Sequence, residues 1–279
     1  MYLCSMLKII ADSGSTKTDW AMSDGRHVST EGINPVMQGN ETISATLSQV
    51  AGREEADEVF FYGAGVRPEQ QPRMKQLLGE AFPKARVVEA ESDMLGAARS
   101  LCRHKPGVAC ILGTGANSCK YDGKHIVEQT PAMGYILDDF GGGSALGRAI
   151  LLELYKGKLT HLRSDFETWA DMQLADVIER VYRQPNANRF LASLTKYAGK
   201  HSEDDETMHR LIVRNFQGFL EHNLEPYKLA ETASVYFTGG LAYAFRKELF
   251  EACELSGYSP GHVTKQPIAG LEQYHFGES

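Results

Sequence analysis

Residues 7–19, with the sequence LKIIADSGSTKTD, decide how the rest of the chain is interpreted. An apolar run of strand length is stopped by Asp12 and followed by glycine and hydroxyl residues, which is typical of a strand that feeds a tight phosphate-facing turn. Gly14 lets the backbone approach a charged ligand, Lys17 adds a positive charge, and Asp12 can hold hydrated magnesium. The residues predicted to bind the phosphates are Asp12, Ser13, Gly14, Ser15, Thr16 and Lys17.

The segment after this turn returns as a strand. Residues 20–22 are apolar and run into Asp24-Gly25, a dipeptide that strongly favours a hairpin turn, and a third strand is predicted near Val28. A Walker loop and a Rossmann turn both lead from a strand into a helix. Because the turn here leads back into a strand, the sequence excludes both of these commoner nucleotide loops.

The composition is that of a globular protein with room for two domains: 279 residues, of which 42% are hydrophobic and 23% charged. The net charge of −7 argues against nucleic acid or an anionic membrane as a partner. No segment approaches the roughly 20 apolar residues of a membrane span. The short apolar stretch before the turn contains Lys8 and is not interpreted as a secretory signal. The five cysteines are odd in number and lack C-x-x-C spacing, which favours reduced thiols in a cytoplasmic protein.

Hydrophobic periodicity predicts alternating strands and helices along the chain. The predicted elements are a helix over 40–51, a strand over 59–62, a helix over 69–82, a strand over 86–89, a helix over 97–102, strands over 108–112, 118–121 and 125–127, a helix over 145–156, a mainly helical stretch over 165–230, a strand over 234–237, a helix through 245 and 250, a strand over 262–265 and a closing helix over 268–274. Asn40 is the predicted N-cap of the first helix. The second of these strands, over 86–89, ends near Asp93.

An internal repeat of about one hundred residues relates the two halves of the chain. A strand, a glycine and hydroxyl turn at Gly113-Thr114-Gly115 and a returning strand repeat the order of the first hairpin. An Asp-Gly turn follows in both halves, at residues 24 and 122, which indicates a duplicated domain. A third apolar strand, over 234–237, is followed by Gly239 and Gly240.

Three glycine and hydroxyl turns, each at the end of an apolar strand in two related halves, resemble the actin-like ATPase and sugar kinase superfamily. More narrowly, the chain resembles the group that contains N-acetylglucosamine kinases and BadF/BadG-type ATPases, over nearly its whole length. The resemblance implies an α/β protein of two ribonuclease-H-like domains, with ATP and magnesium in the cleft between them and a sugar deeper in that cleft. The expected domains are 1–107, joined by the closing helix 267–279, and 108–266, which carries a helical insertion at 165–230.

The same resemblance assigns roles to the turns. Residues 12–18 resemble the first phosphate motif, with Asp12 as the metal residue. Residues 112–118 resemble the second phosphate motif, and residues 235–241 resemble the adenosine motif. The nucleotide-binding residues implied in the second and third turns are Gly113, Thr114, Gly115, Gly239 and Gly240.

Asp93 resembles the base that takes the proton from the attacking sugar hydroxyl, which is the group that phosphoryl transfer needs beside magnesium and in-line positioning. The alternative is that Asp93 only caps the following helix. Asn34, in a Gly-Ile-Asn-Pro loop, resembles a position that holds sugar hydroxyls, and its alternative is a simple turn former. The further sugar contacts implied are Ala116, Asn117 and Asp139, and amide and carboxylate groups suit a polyol.

The chain departs from the family pattern at residues 138–142. The usual Gly-Asp-Glu-Gly-Ser reads here as Asp138-Asp139-Phe140-Gly141-Gly142. Asp139 is retained, but Phe140 replaces the glutamate and Gly142 replaces the serine. The departure leaves open which sugar is accepted and whether turnover is impaired.

The sequence therefore predicts an ATP-dependent kinase of an amino sugar, with N-acetylglucosamine as the first choice. One alternative is a BadF-type ATPase activator, which needs two well-placed cysteines per subunit for a bridged iron–sulfur cluster and a Gly-Gly-Gln-Asp motif that is missing here. The other is a sugar-binding relative that has lost catalysis. The sequence leaves the sugar, the phosphorylated hydroxyl and the oligomeric state open, with a homodimer as one option.

Overall fold

The structure is a computed structural model that describes residues 6–14, 16–230 and 233–277. The strands in these residues are β1 (Lys8–Ser13), β2 (Lys17–Met22), β3 (His27–Glu31), β4 (Glu58–Gly63), β5 (Val87–Ser92), β6 (Gly107–Leu112), β7 (Ala116–Tyr121), β8 (Ile126–Gln129), β9 (Val235–Thr238) and β10 (Pro260–Thr264). The α-helices are α1 (Asn40–Leu47), α2 (Gln71–Ala81), α3 (Asp93–Cys102), α4 (Gly143–Lys156), α5 (Arg163–Ala170), α6 (Leu174–Tyr182), α7 (Ala187–Ser193), α8 (Thr195–His201), α9 (Glu206–Phe219), α10 (Gly240–Ala244), α11 (Arg246–Leu255) and α12 (Ile268–His275). The predicted α/β class is confirmed.

The chain forms two compact units, each with its own sheet. Unit 1 contains the described residues up to Pro106, Tyr121–Ile126 and the described residues from Gln266 onward. Unit 2 contains Gly107–Lys120 and the described residues of Val127–Lys265.

The two sheets share one strand order. In unit 1 the order is β3-β2-β1-β4-β5, with β1 antiparallel to β2 and parallel to β4. The second sheet runs β10-β9-β6-β7-β8. Taken from its other edge, this is β8-β7-β6-β9-β10, which is the same order when β6 is counted as the first strand. The shared order is the structural counterpart of the internal repeat that the two Asp-Gly turns indicate.

The central strand of unit 1 is buried on both faces. Ile9 and Ala11 pack into one cluster with Trp20 and Phe61, whereas Ile10 packs into a second cluster that includes Leu271 of α12. Successive side chains of a strand point to opposite faces, so an unbroken apolar run places one half of its side chains in each cluster. This double burial fixes β1 and thereby the turn that follows it.

The charged stretch over 165–230 consists of amphipathic helices that cover the core of unit 2. Met208, Phe216 and Phe219 of α9 are fully buried in that core. Asp205 caps α9 by accepting a hydrogen bond from the Met208 backbone N–H at 2.9 Å. The acidic residues at 203–206 therefore belong to the exposed start of a helix whose inner face is apolar. No helix among the described residues has the length and apolar character that crossing a membrane requires.

Several element boundaries differ from the prediction. The N-cap of α1 is Gly39, and Asn40 Oδ1 instead accepts a hydrogen bond from Arg73 Nε at 2.6 Å. Helix α3 begins at Asp93 rather than residue 97, because Ser92 caps it. The helix predicted through residues 245 and 250 is broken at Phe245, which separates α10 from α11.

Closing helix α12 brings His275 into a buried polar cluster of unit 1. His275 Nε2 lies 2.8 Å from the Tyr62 hydroxyl, and the His275 ring stacks on Phe60 at 4.0 Å between centroids. The pKa of His275 is lowered to about 3, mainly by burial and also by the positive charges of Arg99, Lys8 and His104. The imidazole is therefore neutral in the folded protein at ordinary pH.

We expect His275 to make unfolding depend on pH. Between pH values of about 3 and 6.5 the unfolded chain binds one more proton at this side chain than the folded chain does, so raising the pH over that window increases the free energy of unfolding. In His275→Gln, which is neutral at every pH, this contribution is absent. The difference between wild type and variant should change by about 2 kcal/mol between pH 5 and 6.5, measured by urea denaturation. Parallel stability curves over that window would contradict the assignment.

Candidate functional site

The first glycine turn of unit 1 joins two antiparallel strands, as the sequence predicts. Ser13 pairs with Thr18 across β1 and β2, and the Gly14 N–H donates to the Lys17 carbonyl at 3.0 Å. Thr16 and Lys17 are exposed, and Ser15 lies outside the described residues. The Ser13 hydroxyl is fully buried, and it both donates to the Ile33 carbonyl at 3.1 Å and accepts from the Ile33 N–H at 3.0 Å. Its side chain therefore fixes the turn to the segment after β3.

Three carboxylates, those of Asp12, Asp19 and Asp93, interact electrostatically next to this turn. Asp12 pairs with Asp19 across the strands, and Lys17 Nζ lies 2.6 Å from Asp19 Oδ1. The pKa of Asp12 is raised to about 7, mainly by burial and also by the negative charges of Asp93 and Asp19, while the positive charge of Lys17 opposes the rise. Unit 1 thus holds a concentration of negative charge that its own side chains only partly neutralise.

Strand β5 leads directly to Asp93, the first residue of α3. The Ser92 hydroxyl caps the helix by accepting from the Leu95 N–H at 3.2 Å, so the capping role that was the alternative for Asp93 is performed by Ser92. Asp93 Oδ1 accepts from the Met94 N–H at 2.9 Å. Burial raises the pKa of Asp93, and hydrogen bonds from the backbone N–H groups of Met94 and Asp93 itself oppose the rise.

Magnesium fits the donors present in unit 1. Asp12 and Asp93 offer hard oxygen donors, and the negative charge of Asp93 helps to raise the pKa of Asp12. Magnesium keeps several of its waters when it is held by one or two carboxylates together with substrate phosphates. Among residues 6–14, 16–230 and 233–277, no group of three or more His, Cys, Asp or Glu side chains could hold a metal ion. Nucleotide phosphates would therefore have to complete the coordination.

Asn34 takes part in a turn of unit 1. Its Oδ1 accepts from the Val36 N–H at 3.0 Å, and its backbone N–H donates to Gln38 Oε1 at 2.8 Å. Gly65 lies directly behind the amide with a φ of +81°, and a Cβ there would collide with Asn34 Oδ1. No local sequence pattern indicates this role of Gly65, because the contact joins loops that are 31 positions apart.

The second glycine turn belongs to unit 2 and is joined to the start of α4. The Gly143 N–H donates to the Gly113 carbonyl and the Ser144 N–H donates to the Thr114 carbonyl, both at 2.8 Å. Asp139 Oδ1 accepts from the Ala116 N–H at 3.3 Å, and Asp139 Oδ2 accepts from the Ser144 hydroxyl at 3.4 Å. Burial raises the pKa of Asp139, and these two hydrogen bonds oppose the rise. The structure thus brings the turn, Asp139 and Ser144 together.

The third turn of unit 2 lies against the end of β6. Gly239 has a φ of +122°, its N–H donates to the Thr264 carbonyl at 3.0 Å, and a Cβ there would collide with the Leu112 carbonyl. Gly239 and Gly240 are thereby placed next to the second turn. Asn117, by contrast, uses its Oδ1 locally, accepting from the Ser118 N–H at 2.9 Å and from Gln129 Nε2 at 3.3 Å.

The departures at residues 140 and 142 have a structural explanation within unit 2. A Cβ on Gly142 would lie 2.8 Å from the Gly115 backbone, so the position has no room for the serine of the family pattern. The hydroxyl beside Asp139 comes from Ser144 instead. Phe140 packs against His222, with 4.6 Å between ring centroids.

We expect Gly142→Ser to destabilise unit 2, because the backbone of Gly115 cannot move away without disrupting the second turn. Over-packing of this kind costs about 1–3 kcal/mol of unfolding free energy, measurable by chemical denaturation. Gly79→Ser is the matched control, since Gly79 is exposed on α2 with no atom within 4 Å of its built Cβ. Equal stability of the two variants would show that the glycine turn tolerates a side chain.

Comparison with known proteins gives a relative among solved structures. The chain resembles the crystal structure of a candidate N-acetylglucosamine kinase from Porphyromonas gingivalis, with a TM-score of 0.91 and 36% sequence identity over 96% of this chain and 98% of that chain. No protein-family model matches the chain, and no curated protein matches it at a significant level.

Two more distant structures share the fold. A candidate N-acetylglucosamine kinase from Chromobacterium violaceum has a TM-score of 0.67 at 18% identity, over 95% of this chain and 97% of that chain. A ROK family glucokinase from Streptomyces griseus, solved with glucose and AMPPNP, has a TM-score of 0.56 at 13% identity, over 95% of this chain and 96% of that chain. With the identity and coverage of the Porphyromonas relative, the chain belongs to the same family as that candidate N-acetylglucosamine kinase.

Proposed function

We propose that this protein is an ATP-dependent kinase that phosphorylates a hydroxyl of an amino sugar, with N-acetylglucosamine as the first choice, and that Asp93 is its base. The observation that carries the proposal is the state of Asp93, a half-buried carboxylate with a raised pKa that follows β5 and accepts one backbone hydrogen bond from Met94. Its negative charge also raises the pKa of Asp12. Family membership supports the phosphotransferase class.

The proposed reaction follows from these groups. Asp93 accepts the proton of the attacking hydroxyl as the bond from the sugar oxygen to the γ-phosphorus forms and the bond from that phosphorus to the ADP oxygen breaks. A carboxylate whose pKa is raised toward working pH is a stronger base than an ordinary aspartate. Asp12 is the residue proposed to hold magnesium, which supplies charge neutralisation at the phosphates when it is bound.

The proposed nucleotide and sugar contacts are the residues that the resemblance assigns to these roles. The nucleotide residues proposed are Asp12, Ser13, Gly14, Ser15, Thr16, Lys17, Gly113, Thr114, Gly115, Gly239 and Gly240. The sugar residues proposed are Asn34, Ala116, Asn117 and Asp139, together with Asp93. The exposed Lys17, now paired with Asp19, would have to exchange that partner for a phosphate oxygen. We place the reaction in the cytoplasm, where ATP is abundant and thiols such as Cys102 and Cys253 stay reduced.

A coupled assay of ADP release tests the proposed function. The purified protein is supplied with ATP and magnesium, and with N-acetylglucosamine, N-acetylmuramic acid, glucose or no sugar. The proposal predicts that an N-acetylated amino sugar raises ADP release well above the rates with glucose and with no sugar. ADP release that no sugar increases would overturn the kinase proposal.

The described residues support the two rival functions less well than they support the kinase. A bridged iron–sulfur cluster needs thiolate ligands at an accessible surface, but the described cysteines Cys102, Cys110, Cys119 and Cys253 are all buried. Burial also raises the pKa values of Cys102 and Cys253 to about 12. A relative that has lost catalysis was suggested by Phe140 and Gly142. Ser144, however, supplies a hydroxyl to Asp139, so these departures leave a hydrogen-bonded carboxylate in place. Sugar binding without phosphate transfer in the same assay would favour the loss of catalysis.

A further inference from the structure

Residues 32–40 of unit 1, here called the Asn34 loop, lead from the end of β3 to Asn40, the first residue of α1. The described residues 32–39 of this loop contain no helix or strand, so side chains must fix its conformation. Part of the support is internal. Gln38 Nε2 donates to the Gly32 carbonyl at 2.9 Å, and Gln38 Oε1 accepts from the Asn34 N–H at 2.8 Å.

The rest of the support comes from one side chain on α2. Arg73 donates from Nη1 to the Pro35 carbonyl at 2.6 Å, from Nη2 to the Gln38 carbonyl at 2.8 Å and from Nε to Asn40 Oδ1 at 2.6 Å. All three nitrogens of the guanidinium thus reach the loop. A planar, rigid guanidinium places its donors on three separate nitrogens, whereas the three donors of a lysine ammonium share one nitrogen and cannot reach acceptors spread this widely.

The charge of Arg73 has no acidic partner within the described ranges. Its acceptors there are the two loop carbonyls, Asn40 and the Gln70 side chain, the last at 3.3 Å, and no salt bridge of this residue occurs among them. Arg73 is a half-buried cation whose hydrogen bonds go to neutral oxygens, so its burial costs desolvation free energy that no opposite charge in these ranges offsets. Such a cation fits a role in holding backbone geometry better than a role in surface charge.

We propose that Arg73 is a positioning residue for the sugar: it holds the Asn34 loop in the conformation that presents Asn34 to the substrate. The inference rests on the proposed function, because it needs Asn34 to contact the sugar. Its effect should be selective. Arg73 touches the loop but none of the residues proposed for the nucleotide, so its loss should weaken the use of sugar and leave the use of ATP unchanged.

The test compares Arg73→Met and Arg73→Lys with wild type. The control is Arg53→Met, since Arg53 is also in unit 1 and donates to the Ala81 carbonyl at 3.4 Å, far along the chain from the loop. We expect Arg73→Met to raise the KM for N-acetylglucosamine by about tenfold or more, with the KM for ATP within about twofold of wild type. The KM of Arg73→Lys for N-acetylglucosamine should lie between those of wild type and Arg73→Met, and Arg53→Met should change neither KM. A rise in both KM values together, or in neither, overturns the inference.

A second readout does not need catalysis. The amide hydrogens of Val36, Met37 and Gln38 are held by Asn34, so hydrogen exchange over residues 34–38 should be faster in both Arg73 variants than in wild type and the control. Unchanged exchange overturns the positioning role, and Arg73→Lys provides the measurement if Arg73→Met does not fold. Wild type that phosphorylates no sugar overturns the proposed function. Sugar turnover with unselective Arg73 effects overturns only this inference.

Discussion

Asp93→Asn is expected to lower kcat by about three orders of magnitude while ATP still binds, because an amide cannot accept the proton of the attacking hydroxyl. Asparagine has nearly the shape of aspartate, and its side-chain oxygen can still accept from the Met94 N–H. The fold should therefore survive the change. Steady-state kinetics with the sugar that wild type uses best, alongside nucleotide binding by calorimetry, measures both halves of the expectation.

The stability of Asp93→Asn separates lost chemistry from lost structure. Burial raises the pKa of Asp93, so ionising it in the folded protein costs free energy that a neutral amide does not require. The variant should thus unfold at the same or a higher urea concentration than wild type at pH 8. Ser92→Ala is the useful contrast, since losing the cap should cost about 1 kcal/mol of stability and leave the proposed base in place. Near-normal phosphorylation by Asp93→Asn would refute the role of this residue.

Asp12→Asn is expected to move activity and stability in opposite directions. Loss of the carboxylate proposed to hold magnesium should reduce kcat/KM by about a hundredfold, the scale on which single electrostatic groups act at reacting centres. The unfolding free energy should rise, because the substitution removes a buried charge that is repelled by Asp93 and Asp19. Kinetics at several magnesium concentrations and urea denaturation measure the two effects.

The pH dependence of that stability gain has a definite sign. The pKa of Asp12 is raised from 3.8 to about 7, so between those values the folded chain binds more protons here than the unfolded chain does. Raising the pH over that window therefore lowers the stability of wild type, and Asp12→Asn does not share the loss. The gap between variant and wild type should widen by about 2 kcal/mol from pH 5.5 to 8. A gap of the same size at both pH values, or full activity of the variant, would contradict the assignment.

The first hairpin and the position of Asp93 could be predicted because short-range rules determine them. An apolar run of this length predicts a strand, and Gly14 followed by hydroxyl residues predicts a turn between strands. Asp93 follows the end of β5 in sequence, so its place in the fold depends only on where that strand ends. Which of Ser92 and Asp93 caps α3 could not be predicted, because both residue types are good caps.

The remaining site features depend on contacts between distant residues. Asn40 has the right chemistry for an N-cap, but Arg73 competes for its side chain from 33 positions away. Gly65 and Ser144 were missed because what singles them out is their neighbours, Asn34 and Asp139, in three dimensions. Gly142 was read as a loss of a serine, whereas the close approach of the Gly115 backbone makes glycine a requirement. Local patterns carry none of these contacts.

The most direct measurement is the mass of the sugar after incubation with ATP, magnesium and the purified protein. With N-acetylglucosamine and wild type, the predicted product is the sugar carrying one phosphoryl group, formed together with ADP, and Asp93→Asn should give almost none. An unmodified sugar in the wild-type reaction, while ATP is bound or hydrolysed, would contradict the assignment of this protein as an amino-sugar kinase.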